Sequence, residues 1–435
     1  MTKILSNKSN IDLDYPICRP SLDLDFTQEE LDPRITFTRG SIGTRVNRNR
    51  VIETVAANTP RFDYDPLTGE CKGLLIEESR SNLLLYSQDL GTGWSNTAGT
   101  TELVDVTTSP DGTSTADKLV ENTSSGQHYI SSTSVSWASS TPYTFSVFAK
   151  AETRYFLDLA FGTSSFWVNG HRRAVFNLAR GTIHSTAGAS LTALITPYPN
   201  GWYRCSITAT TVSTAVAATT CQLLITSDGT SGGSYPGDGT SGLYLWGAQT
   251  EQGAFPTSYI PTTASTVTRS TDLADMTGTN FSSWYNQSEG TVFANTRMVG
   301  VQTGRYDRLW AITNSNLNLE GISIYVAGPA GVPGCYVSSI SITNSATEQI
   351  IGTQVESAIT TPKLRSAFSF KTNDCASAYN GNLRFVDKSA ILLSNPDRLL
   401  IGQPQRFQGT SCMTIARLTY YPRALKPNHL QYLTQ

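Results

Sequence analysis

Tyr143-Thr-Phe-Ser-Val-Phe148 alternates apolar and polar side chains, and so do Tyr155-Phe-Leu-Asp-Leu159, Trp202-Tyr-Arg-Cys-Ser-Ile-Thr-Ala209 and Met413-Thr-Ile-Ala-Arg-Leu-Thr-Tyr-Tyr421. A period of two sends successive side chains to opposite faces of a strand, so each run reads as a strand with one buried face. Similar runs at Cys221 to Ile225, Leu243 to Trp246, Thr291 to Asn295 and Ile322 to Val326 are bounded by Gly, Asn, Asp and Ser. Those residues make turns, and the spacing predicts an all-β chain of antiparallel β-sandwiches. Helical periodicity is confined to the end, where Leu425, Leu430 and Leu433 follow Pro422 and Pro427 and predict one short C-terminal helix.

The chain of 435 residues is long enough for two or three domains. Charged residues make up only 15%, and Ser and Thr supply most of the polarity. The net charge of -2 lacks the concentrated basic face that neutralises phosphates, so no nucleic-acid partner is expected. A hydrophobic content of 39% excludes a disordered chain, and no apolar run reaches the length of a membrane span. Met1 to Asn10 has lysines but no apolar run behind them, so a secretory signal is not expected. Seven cysteines and four histidines are scattered without a CxxC or a Cys/His cluster, which predicts buried reduced thiols, with a disulfide framework as the alternative.

Composition divides the chain. Residues 1–80 hold most of the charge and many prolines, and read as an extended N-terminal docking segment. Residues 81–261 read as one sandwich, 262–271 as a Thr- and Ser-rich linker, and 272–435 as a second sandwich.

Three strings, Thr36-Phe-Thr-Arg-Gly-Ser-Ile-Gly-Thr-Arg-Val-Asn47, Pro60-Arg-Phe-Asp-Tyr-Asp-Pro66 and Gly73-Leu-Leu-Ile-Glu-Glu-Ser-Arg-Ser-Asn-Leu-Leu84, resemble in their order the opening of many bacteriophage virion proteins. Leu243-Tyr-Leu-Trp-Gly-Ala-Gln249 and Phe255-Pro-Thr-Ser-Tyr-Ile-Pro-Thr-Thr263 resemble their continuation. The stretch from Asn82 to Trp246, with Gly201-Trp-Tyr-Arg204, is similar to carbohydrate-binding-module jelly rolls. The tail, with Ala378-Tyr-Asn-Gly-Asn-Leu-Arg384 and Ile415 to Leu425, resembles concanavalin A-like or laminin G-like domains. The resemblance implies a structural protein of the tail fibre, adhesin or head-decoration type. It would be made in the bacterial cytoplasm and displayed on the virion surface, with other virion proteins and a host-surface polysaccharide as partners. A homo-oligomer is expected, a trimer in a fibre.

Concanavalin A-like sandwiches include glucanases, which need two carboxylates converging on one bond. The pattern Glu-x-Asp-x-x-Glu is absent, since Glu30-Leu-Asp32 is followed by Ile35. The pairs Asp12/Asp14, Asp23/Asp25 and Asp63/Asp65 read as solvated or ion-paired edges, and no Gly-x-Ser-x-Gly elbow occurs. No catalytic residues and no cofactor are therefore expected, with a glycan depolymerase or a ligand-free spacer as alternatives. Asp228 and Asp238, in a loop that repeats Asp-Gly-Thr-Ser-Gly, are weak calcium candidates against a plain turn. For a glycan, the candidate platform is Trp167 with Asn169, His171 and Arg172, and Tyr235 is a second aromatic; burial of Trp167 in the core is the competing reading.

Overall fold

The computed structural model describes residues 18–162, 164–170, 172–188, 191–214, 217–300, 306–315, 321–327, 336–344, 347–351, 363–390, 392, 395–402 and 411–435. The described chain is all-β with the short C-terminal helix Pro427–Leu433, and no described helix is long and apolar enough to cross a membrane. Six cysteines, at 18, 71, 205, 221, 375 and 412, are free thiols, and Cys335 lies outside the described residues.

Two six-stranded antiparallel sheets form the sandwich of the middle region. One runs Thr192–Pro197, Trp202–Thr210, Pro142–Ala151, Gly242–Gln252, Ala116–Glu121 and Thr100–Thr107. The other runs Thr182–Thr186, Arg173–Asn177, Phe156–Phe161, Cys221–Thr226, His128–Ser131 and Ser95–Ala98. Alternation does what the sequence requires. Phe145 and Val147 enter the core between the sheets with Ile207, Leu159 and Leu223, while Thr144 and Ser146 face away.

The second sandwich is not made from the C-terminal region alone. Its first sheet runs Asn382–Asp387, Cys375–Tyr379, Lys363–Lys371, Glu289–Gly300, Cys412–Tyr421, Cys71–Ile76 and Phe62–Tyr64, and Leu22–Asp25 also pairs with Cys412–Tyr421. Leu22 lies opposite Tyr420 and Leu74 opposite Ile415. The facing sheet likewise begins with Thr36–Thr38, paired to Leu273–Thr277. Leu22, Leu24, Phe26, Phe37, Leu74 and Ile76 are buried in one core with Trp310, Phe368 and Met413. The described part of the segment 1–80 is therefore not an extended docking arm. Its apolar alternation is consumed by strand pairing, because an isolated strand can satisfy neither its backbone nor its apolar face.

The same segment covers the middle sandwich. Val46 and Ile52, from the hairpin of Gly43–Val46 and Ile52–Val55, pack with Phe148, Trp202 and Trp246 on the outer face of the Pro142–Ala151 sheet. Trp202 and Trp246 are thus buried, though against this hairpin instead of between the sheets.

The stretch expected to be a loose linker is also built in. Val267–Arg269 pairs with Arg80–Asn82, and Thr262, Arg269 and Asp272 are buried. Beneath them lies a charged cluster. Asp272 binds Arg39 at 3.1 Å and Arg61 at 2.5 Å; Glu77 binds Arg61 at 2.8 Å and Arg269 at 3.1 Å. Burial opposes ionisation of Glu77, but Arg269, Arg61 and the donors of Ser258 hold its pKa down at about 2.

Candidate functional site

The sequence candidates separate once placed. Trp167 is 1% exposed, donates its indole N–H to Gly162 O at 3.1 Å and stacks on Phe161 with ring centres 4.1 Å apart. It is a core residue and has no face for a sugar, which corrects the platform assignment. Asn169 is exposed at a left-handed position with φ 59°, which an asparagine tolerates in a tight turn. Arg172 is half-buried and donates to Phe161 O at 2.5 Å, with burial and the neighbouring Arg173 pulling its pKa down. His171 lies outside the described residues.

Tyr235 is occupied as well. Its hydroxyl donates to Glu121 Oε2 at 2.7 Å, the His128 ring lies 4.6 Å away and the Arg154 guanidinium 5.5 Å from its centre. Asp228 accepts from Thr230 N, and Asp238 from Thr240 N, Ser241 N and Ser241 Oγ, so both carboxylates close their own turns. Among the described residues no group of three or more His, Cys, Asp or Glu could hold a metal ion, and the calcium assignment does not fit these turns. The acidic pairs diverge: Asp23 meets Arg417, Asp25 caps Thr27, Asp63 meets Lys72 and Asp65 caps Leu67 and Thr68. Asp12 and Asp14 lie outside the described residues.

A concave feature among the described residues is a cleft of about 820 Å³ where three segments meet. One wall is Glu78 to Ser81, leading into the short strand Arg80–Asn82; another is the loop Ser136 to Ala138; the third is Gln252 and Gly253 at the end of the long strand Gly242–Gln252. This volume lies in the range of small-molecule sites. The loop is fixed in place: Ala138 N donates to Tyr143 Oη at 2.9 Å, and Thr211 Oγ1 donates to Ala138 O at 2.6 Å. Trp137 stands in the wall and meets Trp167 edge-on, ring centres 5.1 Å apart, so the tryptophan singled out from sequence lies one ring behind the cleft.

Arg80 and Glu78 form the charged part of the lining. Arg80 Nε donates to Glu78 Oε1 at 2.7 Å, Nη1 donates to Gln252 O, and the guanidinium lies 5.2 Å from the Phe255 ring centre. Burial works against this cation, but Glu251 and Glu78 outweigh it and raise its pKa. Gly253 is required here, because any Cβ would overlap the Arg80 guanidinium. Glu251 sits behind, 3.8 Å from Arg80, and is saturated by Thr257 N at 2.9 Å and Thr257 Oγ1 at 2.7 Å. Sequence reasoning missed this site because its walls come from residues around 80, 137 and 252. The local signal was the glycine after Gln252, between the two strings noted for the resemblance.

No family model matches the chain, and no curated protein matches it. Among solved structures it is similar over 36% of its length to the CBM40 of a Ruminococcus gnavus IT-sialidase bound to α2,3-sialyllactose, at 13% identity, 88% coverage of that chain and a TM-score of 0.28. Over 41% of its length it is similar to domain 4 of a GH43 extracellular arabinanase from Geobacillus stearothermophilus in complex with arabinotriose, at 14% identity, 81% coverage of that chain and a TM-score of 0.29. Over 74% it is similar to Trypanosoma rangeli sialidase in complex with the inhibitor DANA, at 10% identity, 60% coverage of that chain and a TM-score of 0.26. At such scores these likenesses fix neither a ligand nor an activity.

Proposed function

We propose that this chain is a non-catalytic, glycan-binding structural protein displayed on a bacteriophage particle. The observation that carries the binding role is the cleft, where an indole, several hydroxyls and an ion-paired guanidinium line a volume suited to a sugar unit. The virion role rests on the ordered strings from Thr36 to Leu84 and from Leu243 to Thr263. Incorporation into the particle then uses the surface of a folded unit, with other virion proteins and further copies of the chain as partners.

The placement of the carboxylates supports the non-catalytic reading. Glycoside hydrolysis needs an acid and a base or nucleophile facing one bond, about 5 to 9.5 Å apart. Among the described residues only Glu78 brings a carboxylate to the cleft, and it is ion-paired with Arg80, while Glu251 is buried and accepts from Thr257 N and Thr257 Oγ1. A single lining carboxylate leaves the second member of an acid and base pair unsupplied.

The test is binding of the full chain to glycans extracted from the host envelope, with the release of reducing ends followed in parallel. Wild type binds and releases none, and Ala138→Trp, at the exposed rim of the cleft, loses binding. Undiminished binding by Ala138→Trp, or steady release of reducing ends, overturns the proposal.

A further inference from the structure

One edge of the middle sandwich carries an apolar patch far from the cleft in sequence. Thr100–Thr107 is the last strand of its sheet and pairs on one side with Ala116–Glu121. Leu103 and Val104 are each 50% exposed, and Val106 is 47% exposed. No other stretch of four residues among those described exposes three large apolar side chains. Single exposed apolar residues need no explanation, but a group of them on a hydroxyl-rich surface marks a contact region.

Backbone geometry holds the patch out. Leu103 faces Lys118 and Thr107 faces Ala116, so Val104, Asp105 and Val106 stand against Asp117 alone in a bulge. Asp105 has φ 57° there, a left-handed conformation uncommon for any residue but glycine. The buried Asp117 carboxylate ties the bulge to the turn beside it: Oδ1 accepts from Asp105 N at 2.9 Å and Oδ2 from Leu90 N at 2.7 Å. A bulged edge does not lengthen the ladder by another strand, so what it offers a partner is its side chains.

The rim sets the partner's charge. Asp105 lies between the two valines, and a Cβ on Gly91 would stand 2.8 Å from Val104 Cγ1 and 3.4 Å from Asp89 Oδ1, which puts that carboxylate beside the patch. Both aspartates are exposed, and neither is ion-paired with a described lysine or arginine. A second copy docked symmetrically here would set these charges against themselves, which opposes self-association.

We propose that Leu103, Val104 and Val106 form a docking surface for a segment of another protein that is apolar at its centre and flanked by lysine or arginine. The apolar side chains supply the buried area, and the cations meet Asp89 and Asp105 at the rim, where charge guides approach and selects the partner. The inference goes beyond the glycan-binding reading and does not depend on it, because no residue of the cleft takes part.

The test is titration of the full chain with fluorescent, end-blocked peptides that alternate valine with lysine, valine with glutamate, and serine with lysine. The valine and lysine peptide is expected to bind about tenfold more tightly than either of the others. Val104→Ser combined with Val106→Ser, both at exposed positions, is expected to weaken it by about tenfold. Asp89→Asn combined with Asp105→Asn is expected to weaken it several-fold without harm to the fold, since asparagine can accept the Thr92 N–H that Asp89 Oδ1 holds at 3.0 Å and tolerates the left-handed φ at 105. Equal binding of the valine and glutamate peptide, binding that survives the loss of both valines, or binding of no peptide overturns the proposal. Dimerisation of the wild type in sedimentation, abolished by the two serine substitutions, would make a second copy the occupant and overturn it as well.

Discussion

Arg61 and Asp272, 211 residues apart in the chain, form an ion pair of 2.5 Å with both side chains withdrawn from water. Asp272 also holds Arg39, and its Oδ2 accepts the backbone N–H of Glu77 at 2.9 Å. One carboxylate therefore ties the N-terminal segment to the start of the C-terminal strands. Asp272→Asn leaves two guanidiniums short of a partner and is expected to cost about 3 to 5 kcal/mol, because a buried charge cannot recover its hydration. Breaking the exposed Lys388–Asp374 pair by Lys388→Ala is expected to cost no more than about 1 kcal/mol. Urea denaturation of the two variants checks the contrast, and equal effects would remove the buried cluster from the account.

Strand pairing gives the second prediction. Residues 81–435 without the N-terminal segment lack Leu22–Asp25, Thr36–Thr38, Phe62–Tyr64 and Cys71–Ile76, and expose the face of Phe148, Trp202 and Trp246. That truncation, and residues 272–435 alone, are expected to aggregate or to melt without a cooperative transition. A sharp calorimetric transition from either piece would show that the N-terminal strands are dispensable.

Trp167→Ala opens a void between Phe161 and Trp137 and is expected to destabilise by about 3 to 5 kcal/mol. Val168→Ala, at the exposed neighbour, is expected to change stability by less than about 0.5 kcal/mol. Thermal denaturation distinguishes a core tryptophan from a surface platform.

Acid dependence separates two buried carboxyls. Burial, reinforced by Asp105 and Asp89, pushes Asp117 up to about 6, against the amides of Leu90 and Asp105 that donate to it at 2.7 and 2.9 Å. Its folded pKa lies above the usual value near 3.9, so its contribution is full below about pH 4 and is lost as pH rises through 6. Glu77, held at about 2, acts in the opposite sense: its contribution is present above about pH 4 and is lost as pH falls through 2. The Leu90 and Asp105 amide resonances are expected to titrate with a midpoint near 6, and a midpoint below 4.5 would contradict this environment for Asp117.

Which features were legible follows from how local they are. Alternation in Tyr143 to Phe148 and Met413 to Tyr421 is a property of neighbouring residues, and the strands stand where it places them. The Pro427–Leu433 helix announces itself by its proline and its leucine spacing. The pairing of Asp23 with Thr419 leaves no such mark, because a strand looks the same whether its partner is ten or several hundred residues away. Charge and proline in residues 1–80 therefore read as solvated, although Arg39 and Arg61 are among the most buried side chains. For the candidate site, sequence could mark Trp167 as an important aromatic but could not show that Trp137 stands between it and the cleft.

The most direct test of the central claim is a cryo-electron microscopy reconstruction of the assembled phage particle with this chain traced in the density. The account predicts the chain on the outside of the particle, residues 18–80 woven into both sandwiches, and the cleft mouth at Ser136 and Ala138 open to solvent. A particle that lacks the chain, or one in which a neighbouring protein fills that cleft, would contradict it.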